Sequence, residues 1–498
     1  MGKRTSGVLM HITSLPGELG IGTFGKDAYK FVDFLKETDQ TYWQILPLTT
    51  TSYGDSPYQS FSAIAGNTNL IDFELLKEDS LLEESDYKKI KFTDHEEYIN
   101  YELLFNTRRP VLEKAVKNFA KNTEFEEEYI LFKKENESWL DNYSQFMAYK
   151  EYFDNKPLQE WDDVSLIKRE VSSLQKYESK LEKEIEYHRV TQFFFFKQWN
   201  KLKKYANENG IEIIGDMPIY VSADSVEVWT MPHLFKLDEN KAPLYVAGVP
   251  ADEFSDDGQY WGNPIYDWAK HKESNYDWWV YRIHESFKMY DVLRIDHFKG
   301  FSDFWQVDAS EDTAKNGTWQ EGPGYELFWV IKERLGELPI IAENLGYIDE
   351  KANKLLADTA FPGMKILEFG FLDESGTSLD LPHNYTANSV AYTGTHDNDV
   401  VNGWYESLTE GQKDFADKYM NRAKEELITK AMLRTLYASV SDTAIACMQD
   451  LLDLGTSSRI NTPNTVGENW KWRMKWEDLT EERKNYFKEL TNLYQRGR

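Results

Sequence analysis

Cysteine is almost missing from this chain. Cys447 is the only one among 498 residues, so no disulfide can form within it. No stretch approaches the roughly 18 consecutive apolar residues of a membrane helix. Positive charge is also short: 57 Lys and Arg stand against 85 Asp and Glu, giving a net charge of −28 and an isoelectric point of about 4.8. A surface this acidic repels phosphate backbones and anionic lipid, which argues against nucleic acid and membrane as partners. A neutral ligand meets no such penalty. The start, Met1-Gly2-Lys3-Arg4-Thr5, leads into strand-like Val8-Leu9-Met10 without an apolar signal core. Its short myristoylation pattern through Ser6 reads as a chance match. Together these deficits lead to the expectation of a cytoplasmic protein.

Aromatic residues are plentiful, at 15% of the chain with 16 Trp and 30 Tyr. Most must be packing residues. An excess over that need suits a sugar-binding cleft, where Trp and Tyr faces stack on the C–H faces of pyranose rings.

Short apolar runs followed by helix-like stretches recur along the chain, the pattern of alternating β and α units. Strands are expected near 7–12, 42–46, 211–217, 292–296, 339–343, 365–369, 389–393 and 444–449. Eight is the number for a (β/α)8 TIM barrel of the α/β class. Several of these runs end in polar residues: Asp216, Asp296, Glu343, His396-Asp397 and Gln449-Asp450. In a parallel barrel, functional groups collect at the C-terminal strand ends. Between 75 and 189 Lys and Glu alternate with Tyr, Phe and Leu at helical spacing, and a mainly helical insertion is expected there. Barrel segments would then lie at 1–74 and 190–498. The run Phe193-Phe194-Phe195-Phe196 reads as a buried helix start. The stretch 237–268, rich in Gly, Pro and Asp, reads as a long functional loop. Its acidic cluster lacks the alternation of an EF-hand and is assigned to turns.

Three segments carry carboxylates suited to chemistry. In Asp291-Val292-Leu293-Arg294-Ile295-Asp296, a strand puts Arg294 and Asp296 on one face. The arginine favours the ionised carboxylate a nucleophile needs; a structural ion pair is the alternative. Glu343 follows the apolar run Leu338-Pro339-Ile340-Ile341-Ala342, where desolvation favours the protonated form of a general acid. A glutamate bonded to backbone or to an arginine is the alternative. Tyr392-Thr393-Gly394-Thr395-His396-Asp397-Asn398-Asp399 is dense in polar groups. No Gly-x-Ser-x-Gly elbow accompanies it, nor a second His cluster with metal spacing, and an Asx turn is the alternative. One ionised and one protonated carboxyl together form the machinery of glycoside cleavage, and a separation of about 5–5.5 Å marks the retaining mechanism.

These segments, with Gly7-Val8-Leu9-Met10-His11-Ile12-Thr13-Ser14-Leu15-Pro16, Ser56-Pro57-Tyr58-Gln59-Ser60, Gly215-Asp216-Met217-Pro218-Ile219-Tyr220-Val221, the loop 248–263 and Ala342-Glu343-Asn344-Leu345-Gly346, resemble glycoside hydrolase family 77, the amylomaltases, over essentially the whole chain. The resemblance implies a barrel with large helical insertions and no separate C-terminal β-domain. It implies a 4-α-glucanotransferase that disproportionates maltooligosaccharides and uses amylose-type α-1,4-glucans and glucose as partners, with no metal or organic cofactor. Carried over by position, Asp296 would be the nucleophile, Glu343 the general acid/base and Asp397 the third carboxylate. Arg294, His396 and Asp216 would support them. Tyr58, Trp261 and Asn461 would contact substrate. The segment Arg459-Ile460-Asn461-Thr462-Pro463 departs from the family pattern, with Asn464 where a glycine often follows the proline. Two rivals stay open at this point: an α-amylase-type hydrolase with the same carboxylates, and an inert glucan-binding protein.

Overall fold

Apolar runs buried on both faces can pair only as a sheet covered on both sides, and eight of them here close on themselves. In chain order the strands are β1 (Thr5–Leu9), β2 (Tyr42–Gln44), β3 (Glu212–Met217), β4 (Tyr245–Val249), β5 (Gln259–Pro264), β6 (Val292–Ile295), β7 (Asp303–Asp308), β8 (Gly317–Glu321), β9 (Ile340–Ala342), β10 (Gly363–Ile366), β11 (Ser389–Tyr392) and β12 (Thr443–Cys447). The parallel barrel runs β1-β12-β11-β10-β9-β6-β3-β2 and back to β1, while β5-β4-β7-β8 form a separate antiparallel sheet. The computed structural model describes residues 4–251, 256–346 and 349–498. The Met1-Gly2 pattern and positions 252–255 of the expected loop lie outside them. Among the described residues no helix is long and apolar enough to cross a membrane.

The barrel is filled, not hollow. Leu9, Ile214, Val292, Ile341, Met364, Ile366, Val390, Tyr392 and Ile445 form a cluster of their own within it. A larger cluster packs the other strand faces on the surrounding helices. Helix–strand packing is tight at β3: a Cβ on Gly215 would lie 2.1 Å from the Tyr290 ring, so glycine is required there. The Tyr290 hydroxyl oxygen in turn accepts from Leu48 N–H at 3.3 Å.

All eight expected barrel strands are present, and three expectations need correction. The run at 365–369 forms its strand earlier, at β10, and continues as a 3-10 turn over Leu367–Phe371. The stretch 237–268 is not an irregular loop, because it contains β4 and β5, whose partners include the distant β7. Phe193–196 lie in the middle of a helix, Glu182–Glu208, with Phe193, Phe194 and Phe195 buried. That helix also runs unbroken through 189/190, where the helical insertion was expected to end. It follows helices Tyr101–Phe119, Glu126–Glu135, Leu140–Tyr152 and Val171–Lys180 and leads directly into β3. Its 27 residues form one unbroken helix across that position.

Candidate active site

The carboxylates emerge where barrel strands end. Asp216 lies within β3 and pairs in register with Arg294 of β6, so their side chains share a face. Arg294 Nη1 donates to Asp216 Oδ1 at 2.8 Å and Oδ2 at 2.7 Å. The same nitrogen lies 3.0 Å from Asp296 Oδ1. Arg294 and Asp216 are both buried, each 3% exposed. Asp296, Glu343 and Asp397 are only partly covered. Partly exposed carboxylates thus stand beside a buried ion pair.

Asp296 follows β6 and Glu343 follows β9, and backbone bonds lock the two strand ends together. Glu343 N–H donates to Ile295 O at 3.0 Å, and Phe298 N–H donates to Glu343 O at 3.0 Å. Between them His297 adopts the left-handed conformation, with φ 50° and ψ 50°. That turn aims its N–H at Glu343 Oε2, 2.7 Å away, while Leu345 N–H donates to Oε1 at 2.6 Å. Desolvation, followed by the charge of Asp296, pushes the Glu343 carboxyl up to about 7; Arg294 and the two backbone donors pull the other way. Asp216 is also raised, mainly by burial and against the pull of Arg294.

The third carboxylate stands beyond β11. Asp397 Oδ1 accepts from Asn461 Nδ2 at 2.6 Å, and its backbone oxygen accepts from Arg459 Nη2 at 2.7 Å. His396 Nε2 lies 3.3 Å from Asp397 Oδ2. Tyr58 closes the group: its hydroxyl donates to Asp216 Oδ2 at 2.9 Å, and its ring stacks on His396 with centroids 5.2 Å apart and planes 11° apart. Trp261, in β5, meets the His297 ring edge-on at 4.9 Å. Among the described residues no group of three or more His, Cys, Asp and Glu side chains is placed to hold a metal ion.

The residues expected at the site therefore form two connected groups. Tyr58, Asp216, Arg294, Asp296, Glu343 and His396 are tied by bonds, stacking or charge, and Asp397 and Asn461 join through His396. Trp261 reaches them through His297. Four supporting residues were not singled out from sequence. His297 has a position-specific signal, since histidine is enriched among residues with positive φ, but nothing local demands that conformation. Arg459 sat in the quoted rim segment without a role. Trp470 packs near both Tyr58, at 5.8 Å, and His396, at 6.0 Å. His11 is held neutral by burial, with His396 adding to the effect, at about 3, and accepts from Leu46 N–H at 3.2 Å.

A family model of glycoside hydrolase family 77, described as 4-alpha-glucanotransferase, matches residues 10–480. The chain is similar to the 4-alpha-glucanotransferase of Streptococcus pneumoniae serotype 4, with 52% identity over 100% of this chain and 98% of that protein. It is similar to the 4-alpha-glucanotransferase of Clostridium butyricum at 49% identity, covering 98% of this chain and 100% of the relative. Among solved structures, the amylomaltase from Streptococcus agalactiae in complex with acarbose superposes with a TM-score of 0.98 at 64% identity, over 100% of both chains.

Proposed function

The chain belongs to glycoside hydrolase family 77, the 4-alpha-glucanotransferases, and from that membership we propose that Asp296 and Glu343 carry out transfer by double displacement through a covalent glycosyl-aspartate. Glu343 protonates the glycosidic oxygen as Asp296 attacks the anomeric carbon, and the leaving glucan departs. The 4-hydroxyl of a second glucan then gives its proton to Glu343 and attacks the intermediate, regenerating Asp296. The observation that carries this reading is the Glu343 carboxyl, raised to about 7 and bonded to the backbone of the very turn that follows Asp296. Such a group is protonated often enough to act as an acid, and once ionised it serves as a base.

Asp397, bonded to Asn461 and beside His396, is placed to grip donor hydroxyls and favour ring distortion. Arg294 fixes Asp296 against Asp216, and Tyr58 orders the donor side. The substrates are maltooligosaccharides and amylose-type α-1,4-glucans, with glucose as an acceptor. The acarbose complex of the Streptococcus agalactiae amylomaltase supports a sugar-binding cleft of this kind. A reducing compartment such as the cytoplasm suits the lone buried thiol of Cys447.

A hydrolase differs only in the acceptor, so the products decide. Incubated with maltotriose, the protein should yield glucose and a ladder of longer oligosaccharides while total reducing ends stay constant. Reducing ends that rise with only shorter products would make water the acceptor. Trp261→Ala, which opens the cleft beside His297, should raise the share of hydrolysis.

A further inference from the structure

The antiparallel sheet β5-β4-β7-β8 has two unlike faces. Ala247 and Phe304 on one face are buried in the main core, and Trp261 points toward His297. On the other face, register places four residues in a single row. Gly248 pairs with both Tyr260 and Trp305, and Trp305 pairs with Trp319. Residues directly opposite in a ladder project to the same side. Tyr260, Trp305 and Trp319 therefore line up across the sheet, with the buried Ala314 seated over Gly248 between Tyr260 and Trp305. Glycine is required at that position, since a Cβ would lie 2.4 Å from Gln259 O and 3.3 Å from Ala314 Cβ.

The row is open at Tyr260 and Trp319, while Trp305 between them is partly buried against Val246, Val307 and Ala314. Tyr260 is 37% exposed and Trp319 44%. The Trp305 and Trp319 rings meet at 5.3 Å with planes 65° apart. Trp305 Nε1 donates to Ala314 O at 2.8 Å, and Lys299 Nζ lies over the Trp319 ring at 4.5 Å. With strands about 4.8 Å apart, the row spans about 14 Å, room for several sugar units. Its aromatic side chains are uncharged, with Lys299 over Trp319 and Asp308 and Asp312 close to Tyr260. Exposed aromatic surface of this kind is costly unless it meets a partner. The net charge of −28 disfavours anionic polymers.

We propose that the Tyr260–Trp305–Trp319 row is an auxiliary binding surface for α-1,4-glucan chains longer than the catalytic cleft can hold. It rests on the glucan reading of the cleft, with which it is continuous: Tyr260 and Trp261 are consecutive on β5, one facing the row and the other the cleft. Pyranose C–H faces stacking on the rings supply the contact, and a neutral polymer suffers no repulsion from the acidic surface.

The test separates this surface from catalysis. In an Asp296→Asn background, which leaves amylose intact, mobility through amylose-containing native gels reports affinity without turnover. Adding Trp319→Ala should weaken amylose affinity about fivefold to tenfold, the loss expected for one aromatic contact, and Trp319→Tyr should restore most of it. In the otherwise unaltered enzyme, Trp319→Ala should raise KM for amylose by a similar factor and leave maltotriose turnover unchanged. Equal retardation of both proteins overturns the proposal. So does an equal loss on maltotriose and amylose, or a change of oligomeric state that points to a second copy as the occupant. Because gel retardation needs no acceptor chemistry, it still decides the matter if maltotriose assays show water, not sugar, to be the acceptor.

Discussion

Replacing Asp296 with Asn should lower the pKa of Glu343 while leaving it above that of an ordinary glutamate. Three influences act on this carboxyl. Desolvation raises it most, Asp296 raises it further, and Arg294 with the His297 and Leu345 amides lowers it, leaving it at about 7. The Asn variant removes only the second influence. For two carboxylates about 5 Å apart, as in retaining glycosidases, Coulomb repulsion is about 0.8 kcal/mol in water and about 3 kcal/mol at an effective dielectric of about 20. At 1.36 kcal/mol per unit, that is roughly 0.6 to 2.4 units. Glu343 should therefore titrate about one to two units lower in Asp296→Asn, still above 4.5 because burial is unchanged. Infrared difference titration of the variant, with Asp296→Asn/Glu343→Gln subtracted, isolates the Glu343 carboxyl band. A band that titrates where it does in the parent would refute the reasoning, because the two groups would then not sense each other.

Arg294→Met leaves Asp216 buried without its partner, and both side chains of that pair are almost fully covered, at 3% and 0%. Stability in urea should fall by about 3–5 kcal/mol; a loss under about 1 kcal/mol would mean that the pair contributes little. The pH profile of kcat/KM should fall on the alkaline side through about 7 as Glu343 loses its proton. A flat alkaline limb would exclude it as the general acid. The sign for stability follows from the same shift. A raised folded pKa makes the Glu343 contribution fully present below 4.5 and lost as pH rises through about 7. Glu343→Gln should accordingly flatten the stability profile across that window.

The barrel was legible because parallel strands buried on both faces read as unbroken apolar runs such as Ile340-Ile341-Ala342. The carboxylates of the candidate site were legible because polar groups follow directly where those runs end. The second sheet was not. β8 reads Gly-Thr-Trp-Gln-Glu, half exposed and polar, and β4 finds its partner β7 only after the chain has passed through a barrel strand. Its Gly and Pro content, taken as a loop signal, serves close strand packing at Gly248. His297 escaped notice for a related reason: its left-handed backbone goes with an N–H donated to Glu343 and an edge contact with Trp261, both partners distant in sequence. The 365–369 strand was misplaced because its apolar run continues into a 3-10 turn with no change of composition.

The central claim is that glycosyl transfer passes through Asp296. An α-glucosyl fluoride needs no acid to expel its leaving group, so Glu343→Gln should still form the intermediate with it but release it slowly. Rapid acid quench followed by peptide mass spectrometry should find a glucosyl increment on the peptide containing Asp296. Fluoride release with no adduct, or with the adduct on another residue, would contradict the account.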